Sequence, residues 1–254
     1  MASAAPTTAT LANGGVLDAR RCVYLPVSQT LVVADLHLGY AWSRRIRGAL
    51  LPIGTPEDTV SRLTALLDAY PPRRLVVLGD IVHEALDLPA LRQLLGELCE
   101  RLAPRAELVF CLGNHDRNLE QRMREWHLPA LCRQQVTFDG HRMLHGDESH
   151  PGVDSAALTL LSDDEAPAII GHEHPALTLG DGVASRVKCP AFLVSDELIV
   201  LPAFSSWAAG CEFGRQPFLG SLARSARFHT AYVCAGSRLL PVPLRGKPTG
   251  GRRE

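Results

Sequence analysis

The chain has 254 residues, 46% of them hydrophobic and 21% charged, with 26 Lys and Arg against 27 Asp and Glu. That composition excludes an intrinsically disordered chain, and a net charge of −1 excludes a protein that grips nucleic acid by bulk charge, while leaving room for a local basic groove. No apolar run approaches the roughly 18–20 residues that cross a bilayer, so no membrane association is expected, and no secretory leader is read at the start.

Residues 1–20, rich in Ala, Thr and Gly, are expected to be flexible. Cys22–Leu25 and Thr30–Ala34 read as short strands. Thr55-Pro56-Glu57-Asp58 has the makings of a helix start: an N-cap, Pro at the first helical position and acids in the first turn. Val60, Leu63, Leu66 and Leu67 then follow at helical spacing. Arg74–Leu78 reads as a buried strand, Leu88–Leu102 as an amphipathic helix, Glu107–Leu112 as a strand and Arg117–Trp126 as a short charged helix. Gln135–Phe138 and His141–Leu144 flank Asp139-Gly140, a strong hairpin signal. Ala168–Ile170 is a further strand. From Val187 the apolar stretches AFLV, LIVLPAF, TAYVC and LLPVPL read as β, and residues 246–254 as a flexible basic tail. Seven scattered cysteines with no C-x-x-C fit buried thiols in a reducing compartment. Residues 21–245 are thus expected to form one α/β domain in which two sheets pack together with helices outside.

Five short motifs each follow a predicted strand: Asp35-Leu36-His37, Gly79-Asp80, Gly113-Asn114-His115-Asp116, His145-Gly146-Asp147 and Gly171-His172-Glu173-His174. Taken singly they say little, since Gly-Asp is an ordinary turn and a lone His is more often structural than a ligand. Taken together at strand ends, they predict one polar cluster, because loops leaving the carboxyl ends of strands converge on one edge of such a sheet. Asp35 with His37, and His172 with His174, stand two residues apart and can present paired ligands to one place.

This ordered set resembles the signature of the calcineurin-like metallophosphoesterases, spanning about 140 residues (35 to 174). The resemblance implies a four-layer α-β-β-α sandwich of two mixed β-sheets and two divalent metal ions. One would be held by Asp35, His37, Asp80 and His174, the other by Asp80, Asn114, His145 and His172, with Asp80 bridging. Mixed carboxylate, imidazole and amide ligands suit Mn²⁺ best, with Fe or Zn²⁺ as alternatives. Such a pair lowers the pKa of a shared water and neutralises charge at phosphorus, so hydroxide is expected to attack phosphate in line. His115, next to Asn114, is the candidate general acid, with phosphate positioning as its rival role. Asp116 is the candidate partner that orients His115, or else a cap for the following helix.

Asp35-Leu36-His37-Leu38-Gly39 and Gly79-Asp80-Ile81-Val82-His83 resemble the branch related to SbcD-type DNA repair nucleases. Gly171–Ala176, Lys188–Leu193 and Leu201–Phe204 are similar to the bacterial DNA ligase-associated phosphoesterases. That likeness implies an endonuclease acting on DNA in a repair pathway, in the cytoplasm, with a DNA ligase, a helicase and an exonuclease as partners. About 80 residues follow the last motif, too few for a separate cap, so single strands or flaps are expected to suit the site better than duplex ends. Arg44, Arg45 and Arg47 would hold substrate phosphates, or are an ordinary solvated helix face. His83 would contact substrate or brace its loop. The alternatives to a nuclease are a small-molecule nucleotide phosphodiesterase or pyrophosphatase, and a non-catalytic binding subunit.

Overall fold

The computed structural model describes residues 7–50, 57–84, 89–147, 166–180, 185–208 and 210–244. A first sheet runs in chain order through β1 (Thr8–Thr10), β2 (Val16–Asp18), β3 (Cys22–Leu25), β4 (Thr30–Ala34), β5 (Arg74–Leu78), β6 (Glu107–Cys111) and β7 (Leu131–Arg133). It is antiparallel from β1 to β4 and parallel from β4 to β7. The second sheet holds β8 (Gln135–Phe138), β9 (His141–Leu144), β10 (Ala168–Ile170), β11 (Pro175–Gly180), β12 (Arg186–Val194), β13 (Leu198–Val200), β14 (Cys211–Glu212), β15 (Thr230–Ala235) and β16 (Arg238–Pro243). Its order is β14-β11-β12-β13-β10-β9-β8, with β15 pairing both β12 and β16. Parallel β9, β10 and β13 sit beside antiparallel β12, so this sheet too is mixed.

Side-chain alternation builds the layers. On β4, Leu31 and Val33 face the helices while Val32 and Ala34 face the second sheet. The helical side carries α2 (Glu57–Ala69), α3 (Pro89–Leu102) and α4 (Leu119–Glu125), reached after the short α1 (Tyr40–Ile46). On α3, Leu91, Leu94, Leu95, Leu98 and Leu102 form one buried stripe at 3–4 residue spacing. Between the sheets, Val32, Val76 and Val109 pack with Met143, Ile169, Phe192 and Ile199. On the far face, Leu144, Ile170, Leu193 and Val200 lie under Leu222 and Ala223 of α5 (Ser221–Ser225). The architecture is therefore the expected α-β-β-α sandwich. The Asp139-Gly140 hairpin forms with both residues at positive φ, 51° and 78°, as a two-residue turn of the right hand requires. No helix among the described residues is long and apolar enough to cross a membrane.

Several expectations need correction. Residues 1–20 are not loose from Thr7 onward: β2 pairs with β3 and buries Leu17, and the Asp18 carboxylate accepts from Arg20 and the Tyr70 hydroxyl (2.7–3.0 Å). The strand pairing and the Tyr70 contact are tertiary, invisible to local composition. The apolar LIVLPAF stretch is strand only as far as Val200. After it the chain crosses to the first sheet, where Phe204 N–H bonds to Ala34 O and Ser205 N–H to Asp35 O. Residues 1–6, Thr55, Pro56, Leu88 and the 246–254 tail lie outside the described residues.

Candidate metal centre

Every motif leaves the carboxyl end of a strand. β4, β5 and β6 are parallel neighbours, so Asp35, Asp80 and Asn114 emerge side by side. β9 and β10 are parallel in the opposing sheet and deliver His145, His172 and His174 from across the sandwich. The backbone turns sharply at the donors themselves: Asp35, His37, Asp80, His172 and His174 have φ of 55°, 46°, 47°, 67° and 45°. Left-handed backbone is costly for most L-residues, but Asp, Asn and His enter it several-fold more readily than others. The residue types suited to metal ligation are thus also those that tolerate the bend.

The donors form two groups sharing one carboxylate. Single ligand atoms of Asp35, His37, Asp80 and His174 all lie within 4.8 Å of one another. In that group His37 Nε2 is 3.2 Å from His174 Nε2 and 3.7 Å from Asp80 Oδ2, and His174 Nε2 is 3.4 Å from Asp35 Oδ1. In the other group, His145 Nε2 is 3.1 Å from Asn114 Oδ1, 3.1 Å from His172 Nδ1 and 3.4 Å from Asp80 Oδ1. Asp80 therefore turns Oδ2 to one group and Oδ1 to the other.

Electrostatics favour cations here. Burial first, then the Asp35 and Asp116 carboxylates, push Asp80 up to about 9. Burial would raise Asp35 as well, but the surrounding His174, His145 and His37 hold it below the usual carboxylate range. Burial pushes His37 down to about 3 and lowers His145 and His172, which favours rings that offer lone pairs, whereas at His174 burial is outweighed by the Asp35 carboxylate, which raises the imidazole. Converging carboxylate oxygens and imidazole nitrogens, with one carboxylate shared, are a donor set that fits two divalent ions.

Around this set, His115 turns Nε2 toward the centre, 3.9 Å from Asp80 Oδ2, while its Nδ1 meets the carbonyl of His83 at 2.5 Å. Asp116 does not orient His115. Its Oδ2 accepts from Gly113 N–H (2.9 Å) and its Oδ1 from Val82 N–H (3.1 Å), so the buried carboxylate clamps the loops after β5 and β6 together. Its role as a helix cap is likewise not seen: Asn118 precedes α4 and offers no side-chain cap. Burial pushes Asp116 up to about 7 despite those amides. His83 stacks on His115 (centroids 5.3 Å apart) and stands 3.4 Å, Nδ1 to Nδ1, from His37. Arg44 and Arg45 lie exposed on α1, and Arg47 at its end pairs with Glu84 (2.6 Å). Arg47 and Arg44 both lie in electrostatic range of His83.

Three features had no signal in the sequence. Glu173, inside the last motif, is buried and accepts from Leu219 and Gly220 N–H (2.8 and 2.6 Å), tying that motif to α5. A cavity of about 280 Å³ opens beside His37, walled by Tyr40, Trp42 and Trp207. A second, of about 210 Å³, lies beside His174 and is lined by Arg21 and Lys188.

A model of the calcineurin-like phosphoesterase family matches residues 28–181. Among solved structures, the Pseudomonas putida nuclease MPE shares this fold with a TM-score of 0.65 at 23% identity, over 92% of this chain and 98% of that one. Yfce, a phosphoesterase from E. coli, aligns at a TM-score of 0.38 and 16% identity, over 85% of this chain and 99% of that one. No curated protein matches the chain significantly.

Proposed function

The chain belongs to the calcineurin-like phosphoesterase family, and from that premise we propose that this metal-dependent hydrolase is a phosphodiesterase acting on DNA as an endonuclease. The observation that carries the substrate reading is the aromatic cavity. Tyr40 and Trp207 lie nearly parallel (19°, centroids 5.8 Å apart), and the cavity they wall shares His37 with the metal cluster. Aromatic faces hold bases without reading sequence, at about 1–3 kcal/mol per stacked base. A cavity of about 280 Å³ is smaller than most drug-sized sites and suits one planar ring system.

Asp35, His37, Asp80 and His174 would hold one ion and Asp80, Asn114, His145 and His172 the other. The donor mix favours Mn²⁺. When bound, two such ions would polarise the phosphoryl group and lower the pKa of water. The chain itself supplies the proton for the leaving oxygen at His115 Nε2. The His83 carbonyl fixes that ring through Nδ1, so Nε2 stays aimed at the centre. The stretches resembling ligase-associated phosphoesterases support a place in cytoplasmic DNA repair beside a ligase, a helicase and an exonuclease; co-purification with each tests it.

The deciding experiment incubates Mn²⁺-loaded protein with end-labelled single-stranded, flap and duplex DNA, beside Asp80→Asn and His115→Ala. Internal cleavage of single-stranded and flap DNA, lost in both variants, is expected. Hydrolysis of bis-p-nitrophenyl phosphate with all DNA left intact would move the substrate to small nucleotide diesters.

A further inference from the structure

The cavity beside His174 has a different chemistry from the aromatic one. Arg21, His174, Lys188, Ala203, Ser206 and Gly210 are among the residues that line it. Arg21 sits at the β2–β3 turn with φ 71°, and its Nη1 donates to two carbonyls, Ala203 O (3.1 Å) and Ser205 O (3.0 Å). Those carbonyls belong to the segment that crosses between the sheets, so the guanidinium is built into the floor of the cavity and half-buried there. Lys188 reaches in from β12, with its Nζ donating to Gly210 O (3.1 Å). Both cations are held by backbone carbonyls. No carboxylate is paired with either among the described residues, whereas Arg20, Arg47, Arg62, Arg74 and Arg105 each have one.

Withdrawing a cation from water costs free energy that a nearby anion offsets; this applies to the half-buried Arg21, whose pKa burial lowers, while Lys188 stands exposed at the rim and adds its charge there. Here two cations face one cavity that opens on a metal-ligand imidazole. We infer that the Arg21–Lys188 cavity is an anion subsite that takes the phosphate next to the one being cleaved. This rests on the nucleic-acid reading above and sharpens it: the substrate is a strand with at least two phosphates, not a single diester. The aromatic cavity is lined by His37 and this one by His174, both of the first ligand group, and Ser206 lines both. A strand would then cross the metal centre with a base on the Tyr40–Trp207 side and a phosphate on the Arg21–Lys188 side.

The test compares Lys188→Ala, which removes an exposed side chain, and the conservative Arg21→Lys with wild type. Binding of fluorescein-labelled oligothymidylate is read by anisotropy, and turnover of bis-p-nitrophenyl phosphate, which has one phosphate, is read beside it. Each variant is expected to weaken oligothymidylate binding about tenfold, the worth of one charge-assisted contact, and to leave bis-p-nitrophenyl phosphate turnover within about twofold. The salt slope of binding should fall by about one for Lys188→Ala. Binding that is equally tight in wild type and variants, or absent from wild type, would overturn the inference. So would equal losses on both substrates, which would mark a disturbed fold. Binding that depends on Arg21 and Lys188 without DNA cleavage would uphold the subsite and defeat the nuclease reading.

Discussion

The two groups of candidate metal ligands share Asp80 but differ in what surrounds it. The half built on β4 adds the carboxylate of Asp35 to the imidazoles of His37 and His174. The half facing it adds only the neutral amide of Asn114 to His145 and His172. Two carboxylates attract a divalent ion more strongly than one, above all where burial weakens screening by water. The first half would therefore hold an ion more strongly, and the second would depend on Asp80 for all its charge. Unequal loading follows: in a titration with Mn²⁺, one equivalent should bind more tightly than the next, as calorimetry would show.

The comparison breaks most completely at the shared group. Asp80→Asn should empty both halves and lower kcat/KM well beyond the 10- to 100-fold typical of residues that only support metal ligands. Elemental analysis should find both ions reduced; loss of one alone would mean that Asp80 does not bridge. His115→Ala sharpens the picture from the other direction. It should lower kcat on DNA by about 10²-fold with metal content unchanged, and cost less on bis-p-nitrophenyl phosphate, whose leaving group needs no proton. Equal losses on both substrates would assign His115 to holding phosphate instead.

Two glycines separate the halves at smaller scale. A Cβ on Gly171 would fall 2.8 Å from Asp35 Oδ2, from Leu78 O and from Ala34 Cβ, crowding the first half. A Cβ on Gly113 would fall 2.6 Å from Asp80 Oδ1 and 2.8 Å from His145 Cδ2, crowding the second. Each Gly→Ala change should destabilise the fold by about 1–3 kcal/mol. Gly171→Ala should weaken the tight Mn²⁺ step and Gly113→Ala the weak one; the reverse pattern in calorimetry would undo the assignment.

The smallest effect lies away from the metals and serves as a control. Burial pushes Asp18 up, but hydrogen bonds from the Arg20 side chain and backbone and from Tyr70 outweigh it, leaving Asp18 below its ordinary value. A folded pKa below the unfolded one, about 3.9, stabilises the protein above that pH, and the benefit is lost as pH falls through the folded value. Thermal melts from pH 6 to pH 3 should show wild type losing stability more steeply than Asp18→Asn in that window, with Mn²⁺ binding at neutral pH alike in the two.

Much of the site was legible because its signal is local. A strand of four or five apolar residues followed by Asp, His or Asn needs no distant information, and β4, β5, β8, β9 and β10 fall where their patterns place them. What escaped is long-range. β1 and β2 are ordered by pairing with β3 and by Tyr70, fifty-two residues away from Asp18. Asp116 sits beside His115 in the chain, yet its oxygens are taken by amides of two loops. Arg21 and Lys188 line one cavity, with Arg21 held by carbonyls of the segment that crosses to the other sheet after β13.

The left-handed backbone at Asp35, His37, Asp80, His172 and His174 has a consequence for how this protein can change. In many binding loops a glycine makes the bend and a neighbour makes the contact, so each can drift alone. Here the bend falls on the candidate ligand itself five times over. Replacing a donor by glycine keeps the turn and deletes the ligand; replacing it by a β-branched residue loses both. The accessible alternatives narrow to Asp, Asn and His exchanging with one another. Laboratory evolution should accordingly find these five positions nearly frozen, with new specificity arising at the cavity walls around Tyr40, Trp207 and Lys188.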